Sequence, residues 1–320
     1  MFQALLSATS RFLNELSRPW FRQNLPPREV VDAPSAPAPR TYGPLQRVVL
    51  TDEVSRTLFE EYTRHREGAR GEEETGWVLL GVREAEEAIV LATLPAGANR
   101  EAGVAHVRFN SSGQALASRI VRQWDRRLTM LGVLHTHPGS LRHPSDGDFH
   151  GDSQWVGLLR GREGVFGIGT ADAEPPRGTV IAHQPQAHVQ CLGELCLSWY
   201  SLREGDRNYR PLKVNLTLGP DLARPLHPIW LTIERYADQL DRLCRQQVGV
   251  AFRVVEDPDG PALGVDVKLA EPGTLLRLVI RGKEAHYFLV RGDELLSVDP
   301  DEERVDRGVY LLLAELAGQC

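Results

Sequence analysis

Four histidines and three aspartates fall within the twenty-one residues of GVLHTHPGSLRHPSDGDFHGD, Gly132 to Asp152, interleaved with two prolines and four glycines. His135 and His137 stand at i and i+2. Side chains alternate along an extended backbone, so both imidazoles leave on one side and can reach one ion. A catalytic zinc takes three protein ligands and keeps a fourth position for water, and the third ligand can be a carboxylate. Asp148 is placed to close that triangle, from the first turn of the helix that follows; Asp146 and Asp152 are its rivals. The flanks give the stretch its setting. An apolar LGVL before it reads as a buried strand and DFHGDSQWVGLLRG after it reads as helical, so the ligands sit at a strand-to-helix corner.

A lone H-x-H is common, but here Pro138 follows His137 directly and the spacing continues as H-T-H-x7-S-x2-D through Ser145 and Asp148. This resembles the JAMM/MPN metalloprotease family, whose pattern is a glutamate on an early strand followed by H-[ST]-H-P and S-x-x-D. EETGWVLLG resembles the family's glutamate strand, with Glu74 seven residues before Gly81 and an apolar run after it. It departs in Gly76-Trp77, which brings the glycine one place nearer Glu74. Glu72 and Glu73 adjoin it, and alternation sets Glu73 on the opposite face.

The resemblance covers residues 45–215. It implies an α/β fold of MPN (JAB) type, a mixed β-sheet flanked by helices and similar to that of cytidine deaminases. It implies zinc held by His135, His137 and Asp148, Glu74 as general acid/base, and Ser145 as stabiliser of the developing oxyanion. The implied activity is cleavage after the C-terminal glycine of a ubiquitin-like protein, in precursor processing or deconjugation, and the implied partners are that protein and its conjugates. Bacterial relatives occur beside activating and conjugating enzymes, including antiviral conjugation systems of the Bil type. Two other readings come with the family: a non-catalytic MPN scaffold, and a RadC-like protein associated with DNA.

The chemistry asks for these residue types whatever the family. Zinc lowers the pKa of a water it holds to about 7. An unligated carboxylate can take that water's proton and later pass it to a leaving amine, and a hydroxyl beside the metal can face the tetrahedral oxygen. Amide hydrolysis is the natural reaction.

Around this corner the chain must build cores. Its 320 residues suit one catalytic-sized domain and a smaller partner, and 42% hydrophobic with 25% charged residues is ordinary for a globular protein. Residues 1–23 place apolar side chains at helical spacing, and the proline-rich 24–44 reads as a tether. Within 45–215, a helix capped by TDE runs from Thr51 to about Arg66. TGWVLLGVRE and EAIVLATLPAG form a hairpin, AHVRF adds an edge, SSGQALASRIVRQWDRRL is helical, and TMLGVLH and GVFGIGTAD are strands. Residues 216–320 read as a second, smaller α+β domain: a helix over PIWLTIERYADQLDRLCRQQ, strands between Val250 and Val298, and a terminal helix. The pattern resets at about Arg210 through a proline-punctuated link, and His227 and His286 stand alone beyond it. Residues 1–23 or this domain are the expected contacts for conjugating-system proteins.

Formal charge is −6 with Lys and Arg dispersed, which argues against a nucleic-acid partner. No stretch approaches the roughly twenty apolar residues of a membrane span, and no signal peptide opens the chain, so the expectation is no membrane and a cytoplasmic location. The four cysteines form no C-x-x-C pair and are expected as thiols. A second, structural zinc through His183, His188, Cys191 and Cys196 would lack the spacing of a compact knuckle. His143 and His150, beside the main motif, read as solvated.

Overall fold

The computed structural model describes residues 41–97, 101–102, 107–108, 111–174, 182–256 and 259–318. The expected helix over 1–23 and most of the tether lie outside them. The described chain divides into one unit spanning Thr41–His227 and another beginning at Pro228.

The first unit opens with β1 (Arg47–Thr51) and α1 (Asp52–Glu67), followed by β2 (Gly76–Arg83) and β3 (Glu87–Pro95). A small ribbon of β4 (Glu101–Ala102) and β5 (Val107–Arg108) leads to α2 (Ser111–Arg122), β6 (Thr129–Thr136), α3 (Asp146–Asp152) and β7 (Glu163–Thr170). Then come β8 (His183–Gln186), β9 (Val189–Leu192), β10 (Leu195–Arg203), β11 (Arg210–Pro211) and β12 (Lys213–Thr217). Thr51 caps α1 by accepting from the Val54 amide, and Asp52 and Glu53 in its first turn complement the helix dipole. Val54, Leu58, Phe59 and Tyr62 bury the face expected from their spacing.

Ten strands form one mixed sheet in the order β12-β1-β3-β2-β6-β7-β10-β9-β8, with β11 on β10. β2 and β7 are buried along their whole length, so they lie centrally and read as unbroken apolar runs. Gly132 on β6 has φ +154°, and a Cβ there would fall 1.7 Å from the Val165 carbonyl oxygen; only glycine lets the strand bearing the histidines approach β7 this closely. The sheet also curls onto itself: the Val214 amide of β12 donates to the Ala187 carbonyl at 2.9 Å, and Gln184 Nε2 donates to the Val214 carbonyl at 3.1 Å. Leu50, Leu58, Trp77, Leu134, Trp199 and Val214 form the centre of the core.

Three sequence expectations are corrected. Of AHVRF, the described Val107–Arg108 form β5, which pairs with β4 and not with the main sheet. DFHGDSQWVGLLRG gives a seven-residue helix followed by two short 3-10 turns, the second interrupted at Gly161, whose φ is +75°. The proline-punctuated stretch after Arg210 contains β12, which pairs in parallel with β1, Arg47 opposite Lys213.

His227, read as isolated, belongs to a buried polar cluster. Its Nδ1 lies 2.6 Å from Glu61 Oε1 and its Nε2 2.9 Å from the Thr93 carbonyl, while Trp77 Nε1 donates to Glu61 Oε2 at 2.6 Å. Burial works against the charged ring, but the Glu61 hydrogen bond and charge outweigh it and raise the His227 pKa above its ordinary 6.5. Burial likewise works against the Glu61 carboxylate, and the His227 bond and charge outweigh it, holding that pKa below its ordinary 4.5. The His227 contribution to stability is complete below 6.5 and disappears as pH rises through the raised folded value. That of Glu61 is complete above 4.5 and disappears as pH falls through the lowered one. His227→Ala is therefore expected to cost about 3 kcal/mol near pH 6, as breaking a buried pair does. Urea unfolding across pH should show this loss shrinking above the raised His227 pKa; a pH-independent loss would contradict the assignment.

The second unit holds α4 (Trp230–Gln246), the strands β13 (Val250–Val255), β14 (Ala262–Lys268), β15 (Thr274–Arg281), β16 (Glu284–Arg291) and β17 (Glu294–Val298), and α5 (Val305–Gly318). The strands form an antiparallel meander in chain order. Tyr236 Oη donates to the Lys283 carbonyl at 2.9 Å and the Gly282 amide to Thr232 Oγ1 at 3.2 Å, tying α4 to the β15–β16 turn. Arg242 Nε to Asp306 Oδ2, 2.8 Å, ties α4 to α5. No helix among the described residues is long and apolar enough to cross a membrane.

Candidate metal centre

Alternation on β6 delivers both histidines to one face. His135 is 8% exposed and His137, just past the strand end, 7%. Thr136 between them turns the other way, where its Oγ1 accepts from the Thr75 amide at 3.0 Å. The His137 amide donates to the Gly169 carbonyl at 2.8 Å, which keeps the chain extended through that residue.

The loop after Pro138 returns to hold the second ring. The Leu141 carbonyl lies 2.8 Å from His137 Nδ1, and a carbonyl can only accept, so Nδ1 carries the hydrogen and Nε2 keeps its lone pair. Tyr200 Oη donates to the Arg142 carbonyl at 2.8 Å, and Arg142 Nε meets Asp172 Oδ1 at 3.0 Å, anchoring the same loop.

Ser145 then starts α3 as its N-cap. Its Oγ accepts from the Asp148 amide at 3.2 Å and donates to Asp148 Oδ2 at 2.8 Å, and its own amide donates to that oxygen at 2.6 Å. This reciprocal capping box fixes the carboxylate. Asp148 Oδ1 lies 3.1 Å from His135 Nε2, and Oδ2 lies 3.4 Å from His137 Nε2; the two Nε2 atoms are 3.1 Å apart. Zinc–ligand bonds of about 2.0–2.1 Å at tetrahedral angles separate ligand atoms by about 3.4 Å. Two imidazoles and one carboxylate so arranged fit a zinc ion with its fourth position open.

The electrostatics fit the same set. Burial resists ionisation of Asp148, but hydrogen bonds from His135 and His137, the His135 charge and the Ser145 amide hold its pKa well below the usual carboxylate range. Burial also resists protonation of His137, and the Asp148 bond, the Leu141 carbonyl and the charges of Asp148 and Glu74 outweigh it, raising the pKa.

Glu74 lies two residues before β2 and not within it, and is 5% exposed. Gly76 pairs with His135, and the Thr136 amide continues the ladder to the Thr75 carbonyl at 2.9 Å. That register sets Glu74 beside His137 on the histidine face. Glu73 is held by Arg70, whose Nε lies 2.7 Å from its Oε2, and Glu72 is exposed.

The rivals lie elsewhere. Asp146 is exposed, and Asp152 Oδ2 accepts from Tyr209 Oη at 2.8 Å. Burial, opposed by that hydrogen bond, pushes the Asp152 pKa up to about 6. His143 and His150 are exposed; His143 Nδ1 lies 3.1 Å from the Pro144 carbonyl and His150 Nε2 lies 3.3 Å from Gln154 Nε2. Among the described residues, His135, His137 and Asp148 form the one group whose ligand atoms converge. Cys191 and Cys196 are free and face each other across β9 and β10, Sγ to Sγ 2.6 Å, while His188 packs edge-on to Tyr200. Among the described residues, His183, His188, Cys191 and Cys196 form no converging ligand group.

Sequence reading missed Tyr209, Arg142 and Asp172. Tyr209 and Asp172 reach the site from segments beyond the motif, and Arg142, though inside it, is marked only by its pairing with Asp172.

Among solved structures, the chain is similar to the solution structure of protein DSY2949 from Desulfitobacterium hafniense, with 16% identity and a TM-score of 0.35, over 54% of this chain and 94% of that one. Comparison with curated proteins gave no match. Residues 55–182 match the family described as prokaryotic homologs of the JAB domain. That segment contains Glu74, both histidines, Ser145 and Asp148, and the surrounding mixed sheet flanked by helices is that of an MPN fold. Over residues 55–182 the chain thus matches the prokaryotic JAB/MPN family.

Proposed function

We propose that this domain is a zinc-dependent peptidase or isopeptidase that cleaves after the C-terminal glycine of a ubiquitin-like protein. The observation that carries the reading is the convergence of His135, His137 and Asp148, one ligand atom from each lying within 4.8 Å of the others, beside a buried glutamate that is not part of the group. The two Nε2 atoms and the Asp148 carboxylate would hold the ion. A bound zinc supplies Lewis acidity toward a carbonyl oxygen and acidifies water.

The remaining work belongs to side chains of this domain. Glu74 accepts a proton from the attacking water and delivers it to the leaving amine, which its burial on the histidine face permits. Ser145 holds Asp148 in place through its single hydroxyl hydrogen, which has to turn away from Asp148 Oδ2 to face the tetrahedral oxygen. The Leu141 carbonyl fixes the His137 tautomer. The burial of both imidazoles suits a slender, glycine-ended tail such as that of a ubiquitin-like protein. Conjugating-system proteins are the proposed partners, in a cytoplasmic and, for a Bil-type system, antiviral setting.

The test uses the full chain loaded with zinc and a fusion that extends a ubiquitin-like protein past its terminal glycine. One cut after that glycine is expected, abolished by a chelator and restored by zinc. An uncleaved fusion with zinc-loaded protein would overturn the proposal.

A further inference from the structure

The helix that carries Asp148 is short and shallow. α3 has seven residues, none of them buried, and so brief a helix has little stability of its own. Its start is fixed by the Ser145 capping box, and its end needs an equivalent.

That end meets an aromatic box. Asp152, the last residue of α3, accepts from Tyr209 Oη at 2.8 Å. One turn earlier, the Phe149 ring stands edge-on to the Tyr209 ring, centroids 6.1 Å apart at 79°. Tyr209 in turn stands edge-on to Phe166 at 5.5 Å, and Trp155 tilts against the same Phe166 at 5.5 Å. Phe166 is buried on β7 opposite Val133 of β6, two residues before His135. A continuous set of contacts therefore runs from the histidine strand through Phe166 and Tyr209 to the aspartate helix. Tyr209 lies beyond the family-matched segment 55–182.

We infer that Tyr209 is a positioning residue for the metal centre: its hydroxyl on Asp152 and its ring against Phe149 set α3 so that Asp148 meets His135 and His137. The inference rests on the zinc reading proposed above. Tyr209 touches none of the three ligands and acts only through the helix. Removing the hydroxyl frees the far end of α3 while the capping box still holds the near end, so Asp148 pivots about Ser145 and the carboxylate spends less time in register with the two imidazoles.

The experiment is zinc affinity of the full chain, measured on metal-free protein by competition with a chromophoric chelator, well below the melting temperature. Outer partners of metal ligands typically govern about 10- to 100-fold in affinity, and Tyr209→Phe is expected to weaken zinc by that range with the metal-free melting temperature nearly unchanged. Asp152→Ala should match it, and Asp152→Asn, which still accepts the hydroxyl hydrogen, should stay within about threefold of wild type. Tyr209→Phe combined with Asp152→Ala should bind no more weakly than Asp152→Ala alone, because both remove one interaction. A Tyr209→Phe protein that binds zinc as wild type does, or single losses that multiply in the double variant, overturns the positioning role while leaving the zinc reading intact. Wild-type protein that takes up no zinc overturns both.

Discussion

Glu74→Gln protein is expected to keep its zinc and to lose hydrolysis by about a hundred- to ten-thousand-fold, the usual cost of removing a general base. The substitution preserves size and most hydrogen bonding at a position only 5% exposed, so packing should survive. It removes a buried carboxylate on the histidine face that is outside the converging ligand group. No neighbour stands ready to replace it, since Glu73 is held by Arg70 and Glu72 faces solvent. Single-turnover cleavage of the glycine-extended fusion, with zinc quantified on the same preparation, separates the two effects: uncleaved substrate should accumulate in complex with the metal-loaded variant. Wild-type turnover by Glu74→Gln would remove Glu74 from the mechanism.

The second large effect concerns the metal. Wild type should hold about one zinc per chain, and His135→Ala/His137→Ala should fall to background, because two of the three donors of a catalytic-type site are gone. Zinc at a thousandfold excess over its dissociation constant adds about 4 kcal/mol of stability, so the wild-type melting temperature should rise with zinc and that of the double variant should not. The pH dependence has a definite sign. The raised His137 pKa means that a proton must leave this ring before zinc can bind. Affinity should therefore fall about tenfold per pH unit below that pKa and level off above it. Asp148, held ionised by its neighbours, adds no such slope. Metal analysis showing wild-type zinc in the double variant would sink the ligand assignment.

What could be read in the sequence follows the range of the interactions. The spacing of His135, His137 and Asp148 encodes a site because alternation on a strand and one helix turn are local rules, and the structure brings these three residues together as those rules require. The helix from Thr51 was legible for the same reason: cap, acidic first turn and apolar face lie within a few residues of one another, and α1 begins at Asp52. Glu74 was found by resemblance and strand alternation, yet its place beside His137 depends on the β2–β6 register. Periodicity says nothing about partners remote in the chain. Tyr209 on Asp152, His227 on Glu61 and β12 on β1 all join distant segments, so the first two looked ordinary and the third looked like a linker. Gly157 and the left-handed Gly161 mark where the helical pattern after Phe149 gives way to tight turns, a signal present in the sequence but overridden by the apolar run around it.

The closure of the ten-stranded sheet sets an order of events during synthesis. β1 finds its neighbours in β3 and, at the far end of the unit, in β12, and pairing across so long an interval is slow because the chain's freedom must be surrendered before the contact rewards it. A ribosome releasing the chain from its N-terminus presents both histidines and Asp148 well before Lys213–Thr217 has emerged. During that interval β1 has an unpaired side, and Tyr209 has not arrived to seat the aspartate helix. The sheet that carries His135 and His137 is thus completed late in synthesis, when the last strand of this unit joins the first.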